Sequence, residues 1–366
     1  MHSKFYLTRE LLPLDQWNRA DYYTKQVFSW LCDLKLGRAF GLFGLDLIHE
    51  TLVDSFPKGY DTYIITPGTE YVDWQWLNSF CKRVPDSQVI IVGPYTHTLF
   101  AEPNLRIITF DVWPYNLKFY LDEYQQTDVN YLNRNYKISS LANRVSQFRS
   151  YINAYLHKTW NEQDYIMSWR KVVGKQEDLY LLNNTGNDKI DHLIDYLRTN
   201  LWDLTIKPDE TFLNRPLNNL DYNWSAYTDC VINCSNESVN NSYQCADGIE
   251  HIQPGPFLTE KTYKTLLSGT ALLAVGQYQT YSYLESQGFQ FDYPWDRSYD
   301  NIPGDIDRIA KVIDTLESIK KISCEDCNQL TLKSRQYNRE HIFSGDYYQT
   351  VNTQNYHNIE LFSKTL

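Results

Sequence analysis

Thr259-Glu260-Lys261-Thr262 places a hydroxyl, a carboxylate and an ammonium at what reads as the first turn of a helix. Thr259 suits an N-cap, because its hydroxyl can accept from a backbone N–H of that turn. A lysine so early opposes the helix dipole unless an anion is there to offset it. The layout fits a phosphate-bearing ligand, with N–H groups and Lys261 directed at the phosphate. Glu260 can accept two hydrogen bonds from a pair of hydroxyls, or simply serve the dipole as a first-turn acid.

Proton-transfer chemistry could come from a second set. Thr66-Pro-Gly-Thr-Glu-Tyr-Val-Asp73 follows an apolar run and presents Glu70 and Asp73 beyond a Pro-Gly turn. His97 and Asp111 follow the next two apolar runs. A general base must reach its hydroxyl unprotonated, which makes Asp73 or Glu70 the first expectation and His97 the second. Both carboxylates would also suit a helix start. Cationic chemistry concentrates in residues 131–175, where Arg134, Lys137, Arg144, Arg149, Lys158, Arg170, Lys171 and Lys175 face only Glu162 and Asp164. Such a local excess could form a phosphate-facing surface or a solvated helix face.

The elements that must position these groups alternate in type. Strands are expected at Asp61–Thr66, Gln88–Val92 and Leu105–Phe110, with a helix from Tyr71 to Val84. Residues 15–55 read as helical, with Gly37–Gly44 as a turn between helices. Residues 144–173 read as a helix leading into a second unit. There strands are expected at Asp178–Leu182, Tyr227–Asn233 and Ala271–Val275, and helices at Asp188–Asn200, Gln277–Gln287 and Ile306–Lys321. The tail is polar and Tyr-rich. Strand–helix alternation implies parallel sheets with helical crossovers, and hence two Rossmann-like α/β domains after N-terminal helices. The expected division is 1–160, 161–325 and a tail at 326–366. In open parallel sheets ligands bind beyond the carboxyl ends of the strands, so Asn233 and Gly276, at expected strand ends, join the candidates.

Phe257-Leu-Thr-Glu-Lys-Thr262, followed by a helix, a Ser-Gly turn and an apolar strand, resembles the donor-binding segment of two-domain GT-B glycosyltransferases. Fucosyltransferase-like and phage-encoded members carry such a segment. Gly288-Phe289 and Trp295-Asp-Arg-Ser-Tyr-Asp300 resemble a "G-F … D-E-S-Y-D" element of the phage group, with Arg297 where an acid is usual. Ser139–Arg149 resembles an "L-N-x-R-x-x-x-H-R" element, with Phe148 where His is common. The resemblance spans residues 60–320. It implies sugar transfer from a nucleotide-sugar donor (a UDP- or GDP-sugar) to an acceptor hydroxyl on a DNA base, glycan or protein, without an obligatory metal. It further implies that Glu260 holds the ribose hydroxyls and Lys261 the diphosphate. Arg144 and Arg149 join Lys261 as phosphate candidates, Thr259, Thr262, Asn233 and Gly276 would line the same cleft, and Tyr299 would either stack on the base or serve as packing, the more ordinary role. The losses at Arg297 and Phe148 leave a second reading open, a non-catalytic nucleotide-sugar-binding module.

Composition bounds the rest. A chain of 366 residues with 42% apolar residues can bury ample core. Its net charge of −11 disfavours a large nucleic-acid footprint. Seven scattered cysteines read as thiols. Cys324-Glu-Asp-Cys327 would need two further ligands to hold a structural zinc, with Cys230, Cys234 and Cys245 the other cluster, or else is a pair of free thiols near a helix end; no metal is the expectation. Neither a membrane-spanning apolar window nor a signal-like start is seen, and the expectation is a cytoplasmic protein. No Gly-x-Gly-x-x-Gly follows a predicted strand and no Walker motif appears, which disfavours a dehydrogenase or a P-loop NTPase.

Overall fold

The computed structural model describes residues 6–7, 34, 36–43, 58–66, 74–95, 98, 102–111, 129–142, 146–169, 183–200, 204–206, 224–237, 243–246, 249–252 and 255–365. The fold is mixed α/β, and the chain divides into two compact units. One comprises residues 1–122, 244–257 and 345–366, the other 123–243 and 258–344. The expected boundary at 160 therefore moves to near 122, and the second unit is interrupted once.

The first unit holds a five-stranded sheet in sequential order: β1 (Tyr6–Leu7), β2 (Ala39–Phe43), β3 (Thr62–Thr66), β4 (Gln88–Gly93) and β5 (Leu105–Thr109). All four pairings are parallel. β3 is buried along its whole length and β4 along all but its first residue, as expected for apolar strands covered on both faces. Helix α1 (Trp74–Arg83) buries Trp74, Leu77, Phe80 and Cys81, an i, i+3, i+4 stripe. They form one core with Tyr63, Val89 and Ile91. Asn104 then satisfies the end of α1, its amide donating to the carbonyls of Cys81 (3.1 Å), Val84 (2.9 Å) and Ser87 (3.0 Å).

The second unit begins with β6 (Tyr136–Ala142), followed by α2 (Gln147–Thr159), β7 (Tyr165–Trp169), α3 (Asp188–Thr199), β8 (Leu204–Ile206), α4 (Trp224–Thr228) and β9 (Cys230–Asn236). A separate two-stranded sheet, β10 (Tyr243–Ala246) with β11 (Ile249–Ile252), interrupts it. Then come α5 (Glu260–Leu267), β12 (Ala271–Val275), α6 (Thr280–Ser286), a 3-10 turn (Ser298–Asn301), α7 (Asp305–Lys321) and α8 (Cys324–Phe343). The sheet order is β12-β9-β6-β7-β8, parallel except for the β7–β8 pair. Strand order reverses between β6 and β9, so the segments leaving those two strands diverge. Finally α9 (Asp346–Ser363) returns to the first unit, where Asn355 exchanges two hydrogen bonds with the backbone of Asp111 (2.9 and 3.0 Å).

Several expectations change. Gly37–Gly44 contains strand β2, because pairing with β3 gives the backbone around Gly41 its hydrogen-bond partners. Residues 144–173 hold a helix and then a strand: α2 ends at Thr159, and Tyr165–Trp169, rich in strand-forming side chains, joins the sheet. The strand expected from Tyr227 starts at Cys230 and runs to Asn236. The stretch read as a tail is two long helices. The strand expected at Asp178–Leu182 and the N-terminal helices lie outside the described residues. No helix among the described residues is long and apolar enough to cross a membrane.

Candidate functional site

The carboxyl edge of the second unit's sheet gathers the ends of β6, β9 and β12 with the starts of α2 and α5. Thr259 is the N-cap of α5: it is extended, and its hydroxyl accepts from the backbone N–H of Lys261. The Lys261 ammonium reaches back to the same hydroxyl at 3.0 Å. Glu260 opens the helix, and its side chain lies outside the described residues.

A residue that sequence reasoning missed organises this turn. Glu237 directly follows β9 and is 1% exposed. Its carboxylate accepts from the backbone N–H of Thr259 (3.2 Å), from the Thr259 hydroxyl and from the Thr262 hydroxyl (2.5 Å). Charge-assisted bonds of this kind are the strong ones. Gly276, after β12, lies against it: an added Cβ would stand 3.4 Å from that of Glu237. Glu237 lies beyond the end expected for β9 at Asn233, in a run of Ser and Asn, and no local spacing singles it out.

On the other side of the strand-order reversal stands Arg149, in the first turn of α2. It is buried, and its Nε and Nη2 donate to the Asn236 carbonyl at 3.2 and 2.9 Å. Two elements that leave the sheet at the reversal are thus tied together at the end of β9. Behind them a buried polar network spans three strands. The Asn236 amide donates to Ser140 Oγ (2.9 Å), Ser140 to Asn153 Oδ1 (2.6 Å), and Asn153 to the Ser168 carbonyl (3.0 Å). Each member is satisfied, which is the condition for a buried polar network to rigidify a core.

Other expected site residues take structural places. Asn233 lies mid-strand rather than at the strand end; it donates to Ser139 Oγ (2.7 Å) and accepts from Thr265 Oγ1 (2.8 Å), pinning α5 to the sheet. Tyr299 is 2% exposed and packs edge-on against Tyr281, so neither ring face is open to a base; burial pushes its phenol well above the usual range. Phe148, where His was expected, lies buried beneath the Arg308 guanidinium, 5.3 Å from the ring centroid. Arg308 in turn donates to the Gly276 carbonyl (3.0 Å) and pairs with Asp305 (2.7 Å). Arg297 pairs with Glu285 (2.8 Å) and covers Tyr281 and Phe291, while Asp300 accepts from the first N–H groups of α6. Arg297 and Asp300 also line a polar concavity of about 490 Å³ with Tyr293 and Trp295.

Among its described residues the basic excess of 131–175 is not one surface, and Arg170, Lys171 and Lys175 lie outside them. Arg134 and Lys137 are buried and donate to backbone carbonyls, whereas Lys158 lies over the Tyr196 ring. Asp73, Glu70, His97 and Arg144 fall outside the described residues. Cys324 and Cys327 open α8 as free thiols, and burial pushes the Cys327 thiol up to about 12. Among the described residues no three His, Cys, Asp or Glu side chains are placed to share a metal ion. No protein-family model matches the chain, and no curated protein matches it significantly.

Proposed function

We propose that the chain is a glycosyltransferase whose nucleoside-diphosphate sugar donor binds at the carboxyl edge of the second unit's sheet. The observation that supports this reading is the start of α5, which stands beside a strand-order reversal with Lys261 in its first turn and its cap held by Glu237. Crevices of this kind are where open parallel sheets take ligands, and a helix start with a nearby cation suits a diphosphate. As the sugar–oxygen bond breaks, negative charge grows on the departing diphosphate; Lys261, the backbone N–H groups of α5 and Arg144 would stabilise it. Arg149 would act from behind, fixing the Asn236–Glu237 turn. Asp73 or Glu70, after β3, would take the acceptor's proton, with His97 next in order. The two-unit, two-sheet organisation is compatible with a GT-B arrangement.

Calorimetric titration with UDP and GDP, in EDTA, tests the donor half. One of the two should bind the wild type, and Lys261→Ala should bind it about 30-fold more weakly, the equivalent of about 2 kcal/mol for a lost charged contact. Equal affinity in the variant would remove Lys261 from the site. Nucleotide binding with no sugar transfer to any DNA, glycan or protein acceptor would favour the binding-module reading.

A further inference from the structure

The opposite, amino-terminal edge of the same sheet buries two arginines. Arg134 precedes β6. Its Nη1 donates to the carbonyls of Tyr227 (2.7 Å) and Cys230 (3.1 Å) and to the Thr270 hydroxyl (3.2 Å), and its Nη2 to the carbonyls of Ser268 (3.3 Å) and Gly269 (3.0 Å). Arg335 comes from α8. Its Nη2 donates to Asn328 O (2.9 Å) and Oδ1 (2.6 Å) and to Tyr131 O (3.4 Å). Arg134 is 7% exposed and Arg335 1%. Every one of these acceptors is neutral. Among the described residues no carboxylate forms an ion pair with either guanidinium. Nε of Arg134 and both Nε and Nη1 of Arg335 are buried with no hydrogen-bond partner.

Buried donors without partners are costly, and more so when charged. Asp229 offsets part of the Arg134 charge from a distance without pairing with it, and the two cations in one interior repel each other. Burial, together with the Arg134 charge, lowers Arg335 to about 10, and burial lowers Arg134 to about 10. Both therefore stay charged at neutral pH. The Tyr131 ring, 5.8 Å from the Arg335 guanidinium carbon, offers only its face.

We propose that Arg134 and Arg335 form a buried anion site that takes a halide-sized ion. A small anion within reach of both guanidiniums, which meet near Tyr131, would offset their charges and accept from the orphaned groups that face it. The near-complete enclosure of the pair favours a small spherical ion such as chloride over phosphate. The site lies on the edge of the sheet away from Glu237 and Lys261 and does not depend on the nucleotide reading.

Thermal unfolding of the full chain should be followed in rising sodium chloride or bromide, with ionic strength held constant by sodium gluconate. The wild-type Tm should rise with halide, by about 5 °C at a hundredfold excess over the dissociation constant. In Arg335→Met the halide effect should vanish. Crystals of the wild type grown in bromide should show an anomalous peak between the two guanidiniums, a readout that stands even if the variant does not fold. A Tm indifferent to halide, an unchanged halide effect in a folded Arg335→Met, or bromide crystals without that peak would each overturn the proposal. A Tm that responds to phosphate and not to halide would also overturn it.

Discussion

Glu237 and Lys261 show how two charged side chains can share one helix start. The carboxylate is enclosed and holds Thr259 and Thr262, while the ammonium sits on the Thr259 hydroxyl. Glu237→Ala would leave the Thr259 N–H and the Thr262 hydroxyl without that acceptor. It should cost about 2–3 kcal/mol in urea denaturation and weaken nucleotide binding as well, because the α5 start would no longer be held. Lys261→Ala, which removes a half-buried side chain and its bond to the Thr259 hydroxyl, should weaken the nucleotide while lowering the urea midpoint much less than Glu237→Ala does. The contrast separates a positioning residue from a contacting one. Thr259 was legible as a cap because a hydroxyl before an amphipathic run has one obvious partner, the helix's own N–H. Glu237 was not, because its partners lie more than twenty residues away. Asn233 and Tyr299 illustrate the complementary point: burial sets their places, and burial depends on partners that no local pattern names.

Among the elements, continuous apolar runs such as Tyr63–Ile65, Val89–Val92 and Ala271–Val275 were readable as strands, because a parallel strand covered on both faces has no polar side to hide. β2, β6 and β7 were not, since glycine, serine and flanking helix-like spacing mask them until neighbouring strands supply the ladder. The helices α8 and α9 carry many polar and aromatic residues, so their apolar stripes are hard to read, and α9 adds specific bonds to the packing of Tyr347, Val351, Ile359 and Phe362. Asn355 is one source, pairing with both backbone groups of Asp111. Asn355→Ala orphans both and should cost about 2 kcal/mol, with faster amide exchange in β5 and α9 and none in β12. The turn before the 3-10 segment carries a pH effect. The Ser298 N–H, then Lys311, hold the Asp296 carboxyl down to about 2. Its contribution is therefore present above the ordinary aspartate range and lost as pH falls from about 4 toward 2. Because Asp296 and Lys311 are both substantially exposed, the loss should stay below about 1 kcal/mol. Acid titration of wild type against Asp296→Asn, followed by circular dichroism, should show the wild type ahead above about pH 4 and the two converging as pH falls through this window.

For the whole molecule, on the proposed reading, donor binding belongs to the unit of residues 123–243 and 258–344, which carries the α5 start and the strand-order reversal. On that reading, an acidic chain of net charge −11 takes a diphosphate where helix starts and Lys261 lie together, with Glu237 at the same helix start offsetting part of that local positive field. Hydrogen exchange read by mass spectrometry, with and without saturating UDP or GDP, tests this directly. The account predicts protection confined to the carboxyl edge of the second unit's sheet: residues 143–149, 236–237, 259–264 and 276–280, with none at the amino-terminal edge around Arg134 and Arg335. Protection absent from residues 259–264, or centred on the first unit, would contradict it.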